Sequence, residues 1–244
     1  MKYFFLLTIA CWIAACGPAQ SEPPTEPAVV QEADSPKHFG VLTAGFVGID
    51  GVYNSELMAP YDILQHTVFR DSLNYITPFV VSPEGASFVT FEGLTIAAHH
   101  SFAAAPPIDI LVIPSAEGSM TTDLEDDVLM GWLKQAVAEA KYVITLCDGA
   151  FPLAATGALA GRVATTFPAD RARLAELFPD TNVRYDASFV VDGKYITSVG
   201  GALSYEPALY LVEHLYGVES ARRTAQGLVL DWDVESIRHF VAAQ

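Results

Sequence analysis

The sequence is poor in cysteine and in basic residues. Only three of its 244 residues are cysteines, and Cys11 and Cys16 both lie in the amino-terminal segment, so a disulfide framework is excluded. The sequence contains 13 Lys and Arg residues and 29 Asp and Glu residues, and the resulting formal net charge of −16 argues against nucleic acid as a partner. The G-x-G-x-x-G and Walker patterns that bind nucleotide phosphates are also missing, so the sequence predicts neither a cofactor nor a metal site.

An apolar run from Tyr3 to Ala15 follows Lys2 at the start of the chain. It is too short to span a bilayer as a mature helix, but it fits the core of a secretory signal. The run ends in Ile13-Ala14-Ala15-Cys16-Gly17, which resembles a bacterial lipobox, where small residues precede a cysteine that receives lipid. We therefore expect residues 1–15 to be a lipoprotein signal peptide and Cys16 to anchor the protein to a membrane of the cell envelope, outside the cytoplasm. A plain secretory signal with an incidental cysteine is the alternative.

Residues 16–37 comprise the expected lipidated cysteine and a tether. Residues 17–37 are rich in Pro, Glu, Ala and Ser and contain no aromatic residue, so they bury too little apolar surface to fold. The folded domain is expected to span residues 38–244. Removal of residues 1–15 would take away Lys2 and leave 12 bases against 29 acids, a net charge of −17, with Cys147 as the sole free thiol.

Alternating strand and helix patterns predict one α/β domain with a doubly wound, mostly parallel sheet and helices on both faces. Residues 108–113 form a continuous apolar run that is typical of a central parallel strand, and Asp192-Gly193 predicts a hairpin. Ser55, Thr122 and Ser204 are the expected helix caps. The predicted strands are residues 39–46, 75–81, 88–98, 108–113, 142–147, 188–191 and 195–199, and the predicted helices are 55–69, 123–140, 150–161, 170–178 and 205–216.

Cys147 lies where a strand is expected to turn sharply into a helix. β-Branched and apolar residues lead up to it, and Gly149 then opens an Ala- and Leu-rich segment. A side chain at such a turn is displayed at the carboxyl end of a strand, where open α/β sheets bind ligands, and the helix dipole favours a thiolate there. A small buried hydrophobic residue is the other interpretation of this cysteine.

Four segments together resemble the ThiJ/PfpI superfamily, whose fold is flavodoxin-like and related to class I glutamine amidotransferases. The resemblance covers about residues 39–217 and is closest to the amidotransferase-like domains found with AraC-type regulators. The segments are Ser55-Glu56-Leu57-Met58-Ala59-Pro60-Tyr61-Asp62, residues 109–118, Cys147-Asp148-Gly149-Ala150 and Gly161-Arg162-Val163-Ala164-Thr165-Thr166. A homodimer is expected from this resemblance and from the apolar character of residues 94–107.

The resemblance implies a role for four residues. Cys147 would be the nucleophile and Glu56 the acid beside it, while the backbone amides of Asp148 and Gly118 would stabilise an oxyanion. A protonated Glu56 could donate a hydrogen bond to sulfur, so we expect Cys147 to be substantially thiolate near neutral pH.

One position departs from the family pattern. Many catalytic members have histidine directly after Thr165-Thr166, where this chain has Phe167. Family members without that histidine, isonitrile hydratases among them, still use the cysteine and the acid. Two functions therefore stay open: a cysteine-dependent hydrolase or hydratase acting on a small molecule, and a binding or redox-sensing module that uses the same pocket without turnover.

Overall fold

The computed structural model describes residues 40–243, which are built around an eight-stranded sheet. The expected signal peptide, the lipidation site Cys16 and the tether lie outside the described residues. No helix within residues 40–243 is long and apolar enough to cross a membrane.

Strands and helices alternate for most of the chain. The strands are β1 Val41–Val47, β2 Tyr75–Ser82, β3 Phe88–Val89, β4 Thr95–Ile96, β5 His100–Ser101, β6 Ile110–Ile113, β7 Tyr142–Leu146, β8 Val163–Ala164, β9 Asn182–Val183, β10 Phe189–Asp192, β11 Tyr195–Ser198 and β12 His239–Val241. The helices are α1 Asn54–His66, α2 Asp127–Glu139, α3 Ala150–Ala155, α4 Arg171–Leu177, α5 Tyr205–Tyr216 and α6 Val218–Gly227.

The main sheet has the strand order β12-β10-β11-β7-β6-β1-β2-β5. Its neighbouring strands run parallel except β10 and β11, which pair antiparallel through the predicted hairpin. Residues of α1, α5 and α6 pack in the core on one face, and residues of α2, α3 and α4 pack in the core on the other. The predicted flavodoxin-like, doubly wound and mostly parallel α/β fold is therefore confirmed.

The four central strands bring their carboxyl ends to one edge of the sheet. They lie in the order β11-β7-β6-β1 and are parallel to one another. Their side chains are apolar on both faces because helices cover both, and β6 is buried along its whole length, as the continuous apolar run predicted. Loops that leave neighbouring parallel strands at one edge converge, so this edge is where side chains distant in sequence can meet.

Several local predictions were wrong at helix ends. Thr122 does not cap α2, because residues 122–125 form a separate 3₁₀ turn and Asp126 accepts hydrogen bonds from the first amides of the helix. The segment after Cys147 forms a helix only as far as Ala155, since Gly157, with a φ of 85°, adopts the left-handed conformation that ends it. Neither Ser55 nor Ser204 makes a side-chain capping bond.

The region predicted as one strand over residues 88–98 is instead a short hairpin. β3 and β4 pair antiparallel beside the main sheet, and the turn between them contains Gly93 with a φ of 87°. The hairpin exposes Val89, Phe91 and Leu94 to solvent. Three large apolar side chains on one small hairpin form an exposed apolar surface, which is the kind of surface that proteins use for contacts with partners.

Candidate active site

Cys147 lies directly after β7 in a backbone conformation that is strained for any residue but glycine. Its φ is 51°, and its side chain is 8% exposed. Two glycines make room for this turn: a Cβ on Gly149 would lie 2.2 Å from the carbonyl oxygen of Ile113, and a Cβ on Gly200 would lie 2.5 Å from Cβ of Cys147. The close packing of three neighbouring strand ends thus holds the sulfur in place, and strain of this kind is typical of functional sites.

Glu56 reaches the same point from the first turn of α1. It is 3% exposed, and its Oε2 accepts a hydrogen bond from the amide of Ser115 at 3.0 Å while Oε1 accepts one from the amide of Gly201 at 3.2 Å. Gly200, the neighbour of Gly201, lies against Cys147, so the carboxyl group lies beside the thiol and each group affects the pKa of the other. Backbone amides from the β6 and β11 loops therefore fix the acid against the sulfur, which places together the two residues that the resemblance paired.

Burial governs the ionisation of both groups. It raises the pKa of Glu56 to about 7, although the amides of Ser115 and Gly201 oppose the rise. Burial also raises the pKa of the Cys147 thiol, and the carboxylates of Glu56 and Asp148 raise it further, whereas a hydrogen bond from the Asp148 amide lowers it. The expectation of a thiolate near neutral pH is therefore wrong, because burial and the two carboxylates outweigh the hydrogen bond from the Asp148 amide.

Above about pH 7 the pair of Cys147 and Glu56 keeps one proton, which stays mainly on the thiol. The pair loses its first proton near pH 7, and the second proton stays bound well above that because its loss would leave two negative charges in contact. The carboxylate can therefore accept the thiol proton at the moment sulfur attacks a substrate. The same group can return that proton later in a reaction cycle.

The side chain of Asp148 is a second carboxyl group in the site, and the sequence analysis assigned a role only to its amide. It is 8% exposed, and Thr166 Oγ1 bonds to its Oδ1 at 2.9 Å. Burial and, to a smaller extent, the charge of Asp170 raise its pKa to about 6, although the hydrogen bond with Thr166 opposes the rise. The Cys-Asp sequence at the turn was the available signal, because a side chain next to a turn cysteine points into the same edge of the sheet.

Gly118 and Phe167 are the two remaining positions that the sequence singled out. Gly118 lies in the loop after β6, where a Cβ would come 2.2 Å from Asp123 Oδ1, and its expected oxyanion role stays a prediction. Phe167 is 42% exposed. The ring of Tyr53 packs on Phe91 with centroids 4.7 Å apart, and Cys147 is among the groups that raise the pKa of the Tyr53 hydroxyl, after burial. An aromatic side chain therefore borders the buried acids.

The described histidines lie elsewhere in the fold. His99 Nδ1 accepts a hydrogen bond from the amide of Val80, and His214 packs against Tyr142. Within residues 40–243, no group of three or more His, Cys, Asp or Glu residues could hold a metal ion. The chemistry that this site can perform with its own residues is therefore thiol addition assisted by carboxyl groups.

The shared proton gives a testable pH dependence. We expect the rate of Cys147 alkylation by iodoacetamide to rise with pH and then to bend near pH 7, because ionisation of Glu56 makes the thiol harder to ionise. In Glu56→Gln the bend near pH 7 should vanish, since no carboxylate remains to take the proton. Mass spectrometry of the Cys147 peptide measures the rate separately from Cys11 and Cys16. A single ionisation near the ordinary thiol value of about 8.5 in both proteins would contradict the pairing.

Comparisons with known proteins agree on one family. A model of the DJ-1/PfpI family matches residues 43–214. An isonitrile hydratase from Pseudomonas putida is 28% identical over 182 residues, which cover 74% of this chain and 75% of that protein. The crystal structure of Drosophila melanogaster DJ-1beta has a TM-score of 0.68 at 23% identity and covers 79% of this chain and 100% of that one. An AraC family transcriptional regulator from Pseudomonas putida has a TM-score of 0.63 at 22% identity and covers 77% of this chain and 99% of that one. The family match spans well over half of the sequence, and the chain belongs to the DJ-1/PfpI family.

Proposed function

We propose that the protein is a cysteine-dependent hydratase or hydrolase that acts on a small, uncharged electrophile. The observation that carries the proposal is the Glu56 carboxyl group, buried and held by two backbone amides, beside the Cys147 thiol at a strained turn. A cysteine that only filled the core would need neither the left-handed backbone nor a buried acid fixed by two amides. Both features lower the stability of the fold, so their presence together favours a catalytic role for Cys147.

Isonitriles are the first substrate class to test, because the similarity to an isonitrile hydratase extends over 74% of this chain. In the proposed cycle Sγ of Cys147 bonds to the isonitrile carbon while the thiol proton passes through Glu56 to that carbon, which gives a thioimidate. Water then adds to the carbon, the nitrogen gains a proton, and cleavage of the C–S bond returns the thiol. The net reaction consumes one water and releases an N-substituted formamide, with no oxidant or reductant.

A redox-sensing or binding module is the second candidate. The raised thiol pKa favours it, because a protonated sulfur attacks substrates slowly unless the acid removes its proton in the same step. Phe167 lies at the position where many catalytic family members carry a histidine, and this difference also favours a module without turnover. The two candidates differ in turnover, so an activity measurement separates them.

We expect the purified protein to convert a small alkyl isonitrile to the corresponding formamide. Cys147→Ala should abolish turnover, and Glu56→Gln should lower kcat about 10²-fold to 10⁴-fold because proton transfer is lost. Asp62→Asn, which removes one exposed acid from the outer side of the same helix, should leave kcat unchanged. Gas chromatography of the formamide provides the measurement. Turnover that survives in Cys147→Ala, or no turnover by the unmodified protein, would contradict this function for isonitriles.

We further propose that the mature protein begins at a lipidated Cys16 and is anchored to a bacterial membrane, with the family domain outside the cytoplasm. The order of small residues before Cys16 supports the proposal. Mass spectrometry of the amino-terminal peptide from membrane-extracted protein should find acylated Cys16, and Cys16→Ser should move the protein from the membrane fraction to the soluble one. An unmodified Cys16, or a peptide that still carries residues 1–15, contradicts the anchor.

We propose a homodimer for the folded domain, and the exposed hairpin side chains Val89, Phe91 and Leu94 support an apolar contact. Light scattering on residues 38–244 should give twice the monomer mass at micromolar concentration. Leu94→Lys should reduce that mass because it puts a charge into the contact. The matched change Val128→Lys, at an exposed position of α2, should not reduce it. A monomer mass for the unmodified domain contradicts the dimer.

A further inference from the structure

The two edges of the central sheet differ in charge. Strands β1, β2, β6, β7 and β11 run parallel, so all of them begin at one edge, which we call the amino edge, and end at the carboxyl edge, where Cys147 lies. The loops that directly follow these strands are residues 48–53, 83–87, 114–126, 147–149 and 199–204, and they contain no Lys or Arg. Their acids are Asp50, Glu84, Glu117, Asp123, Glu125, Asp126 and Asp148. The carboxyl edge is therefore strongly negative, and an anionic surface repels it.

The segments that lead into β2, β6, β7 and β11 have a different balance of charge. Their two acids, Asp71 and Asp109, both have partners. Asp109 forms an ion pair with Lys141 at 2.8 Å, and Asp71 accepts hydrogen bonds from the amides of Leu73 and Asn74 and from Nδ2 of Asn74. The segments are residues 67–74, 102–109, 140–141 and 193–194, and their bases are Arg70, Lys141 and Lys194. The amino edge therefore lacks the negative charge of the carboxyl edge.

Large apolar side chains are exposed at the corner of the amino edge where β1 and β2 begin. Phe69 is 68% exposed, Leu73 75% and Val41 50%. They lie at one corner because Val41 pairs with Tyr75, which follows Leu73 by two residues in the chain. Exposed aromatic and aliphatic side chains beside basic residues are the composition with which proteins enter the interface of a membrane.

A cavity of about 210 Å³ opens at the same corner, between the loop before β2 and the start of α6. Arg70 and Arg223 line it together with Asn74 and Ser220. The guanidinium group of Arg70 lies against Gly227, where a Cβ would collide with it, and its Nε is buried without a hydrogen-bond partner among residues 40–243.

Two acids also line this cavity. Asp71 is occupied by its three hydrogen bonds, and Glu219 is exposed, so solvent weakens the effect of its charge. Two guanidinium groups, an amide and a hydroxyl group remain as donors, and this set suits the phosphate of a phospholipid headgroup.

The chain enters the folded domain beside this cavity. The amide of Gly40 donates a hydrogen bond to Oδ1 of Asn74 at 2.7 Å, and β1 starts at the next residue. The sequence places 24 residues between Cys16 and Gly40, which span at most about 80 Å when fully extended. A link of that length permits many orientations at a membrane, so the surface of the domain must select one.

We propose that the corner formed by Val41, Phe69, Arg70, Leu73 and Arg223 docks on an anionic phospholipid bilayer and turns the carboxyl edge with Cys147 away from it. The inference rests on the lipid anchor proposed above and not on the cysteine chemistry. The apolar side chains enter the interface while the two arginines bind headgroup phosphates. Charge acts in the same direction, because the bilayer attracts the arginines and repels the acidic carboxyl edge. The site therefore faces the aqueous phase.

The test uses the full-length acylated protein in vesicles of phosphatidylglycerol and phosphatidylethanolamine whose acyl chains carry bromine, a quencher of tryptophan fluorescence. We expect Leu73→Trp to be quenched more strongly than the tryptophans of the unmodified protein, because position 73 enters the interface. The matched change Val128→Trp places a tryptophan at another exposed apolar position, at the start of α2 on the carboxyl side of the sheet, and should add no quenched fluorescence.

Further changes in the Leu73→Trp protein test which groups bind the bilayer. Arg70→Gln and Arg223→Gln should each lower the ratio of docked to undocked protein roughly fivefold, and high salt should also lower it. Phe69→Ser should lower the ratio roughly tenfold because apolar burial is lost. Arg173→Gln removes the same charge from α4 and should change nothing. Thermal unfolding shows that each variant is folded, and the rate of Cys147 alkylation should stay constant in all of them.

The outcomes separate docking from the anchor on which it rests. If Cys16 is acylated and the protein stays on the vesicles, but Leu73→Trp is quenched no more than Val128→Trp, the docking corner is wrong and the anchor stands. Stronger quenching at Val128→Trp would reverse the orientation and also overturn the inference. If Cys16 carries no lipid, the anchor and the docking fail together.

Discussion

The left-handed backbone of Cys147 is the constraint on which the site depends. At a φ of 51° the chain turns so sharply that sulfur sits at the carboxyl edge of the sheet instead of continuing the strand. Only close approach by the neighbouring loops can hold this conformation. Gly149 and Gly200 allow that approach, because a side chain on either would collide with the β6 end or with Cys147. The strain is thus balanced by packing of three parallel strands.

The same turn explains the electrostatic character of the site. It brings two buried carboxyl groups, Glu56 and Asp148, to one buried thiol. All three groups lose hydration, and each of the two carboxylates raises the pKa of the cysteine. Ionisation of all three together is therefore strongly unfavourable. Proton sharing is the way in which such a cluster avoids that cost. A site of this composition holds and moves protons, which is what addition of a thiol and water to a substrate requires.

The sequence predicted the fold well because its signals are local and repeated. Continuous apolar strands, amphipathic helices and the Asp192-Gly193 hairpin each have a pattern that the structure follows. Helix ends were predicted less well, since Asp126 rather than Thr122 caps α2, and both residues are good capping types. For the site, the resemblance paired Glu56 with Cys147, and the structure places them in contact.

What the sequence could not supply was the environment of those residues. The dipole argument favoured a thiolate, but it could not count the carboxyl groups that the fold gathers around the sulfur, nor show that the following helix ends at Ala155. Thr166 is 18 residues from Asp148 in the chain, and nothing in the spacing indicates that their side chains meet. The ionisation of a buried group depends on such distant contacts, so it becomes accessible only once the fold is known.

The acids also cost stability, and the sign of that cost can be worked out. Glu56 has a pKa of about 7 in the folded protein and an ordinary value of 4.5, so the native state holds a proton that the unfolded chain releases above about pH 4.5. The unfolding free energy therefore falls as pH rises from 4.5 toward 7, and the loss for this one group is roughly 3 kcal/mol. Asp148 changes stability in the same direction because burial raises its pKa to about 6. Replacing either acid with a neutral residue of similar shape would relieve this cost. The protein therefore keeps these two carboxyl groups buried beside the thiol although they lower the stability of the fold at neutral pH. This cost is expected when the groups serve a reaction and not the fold.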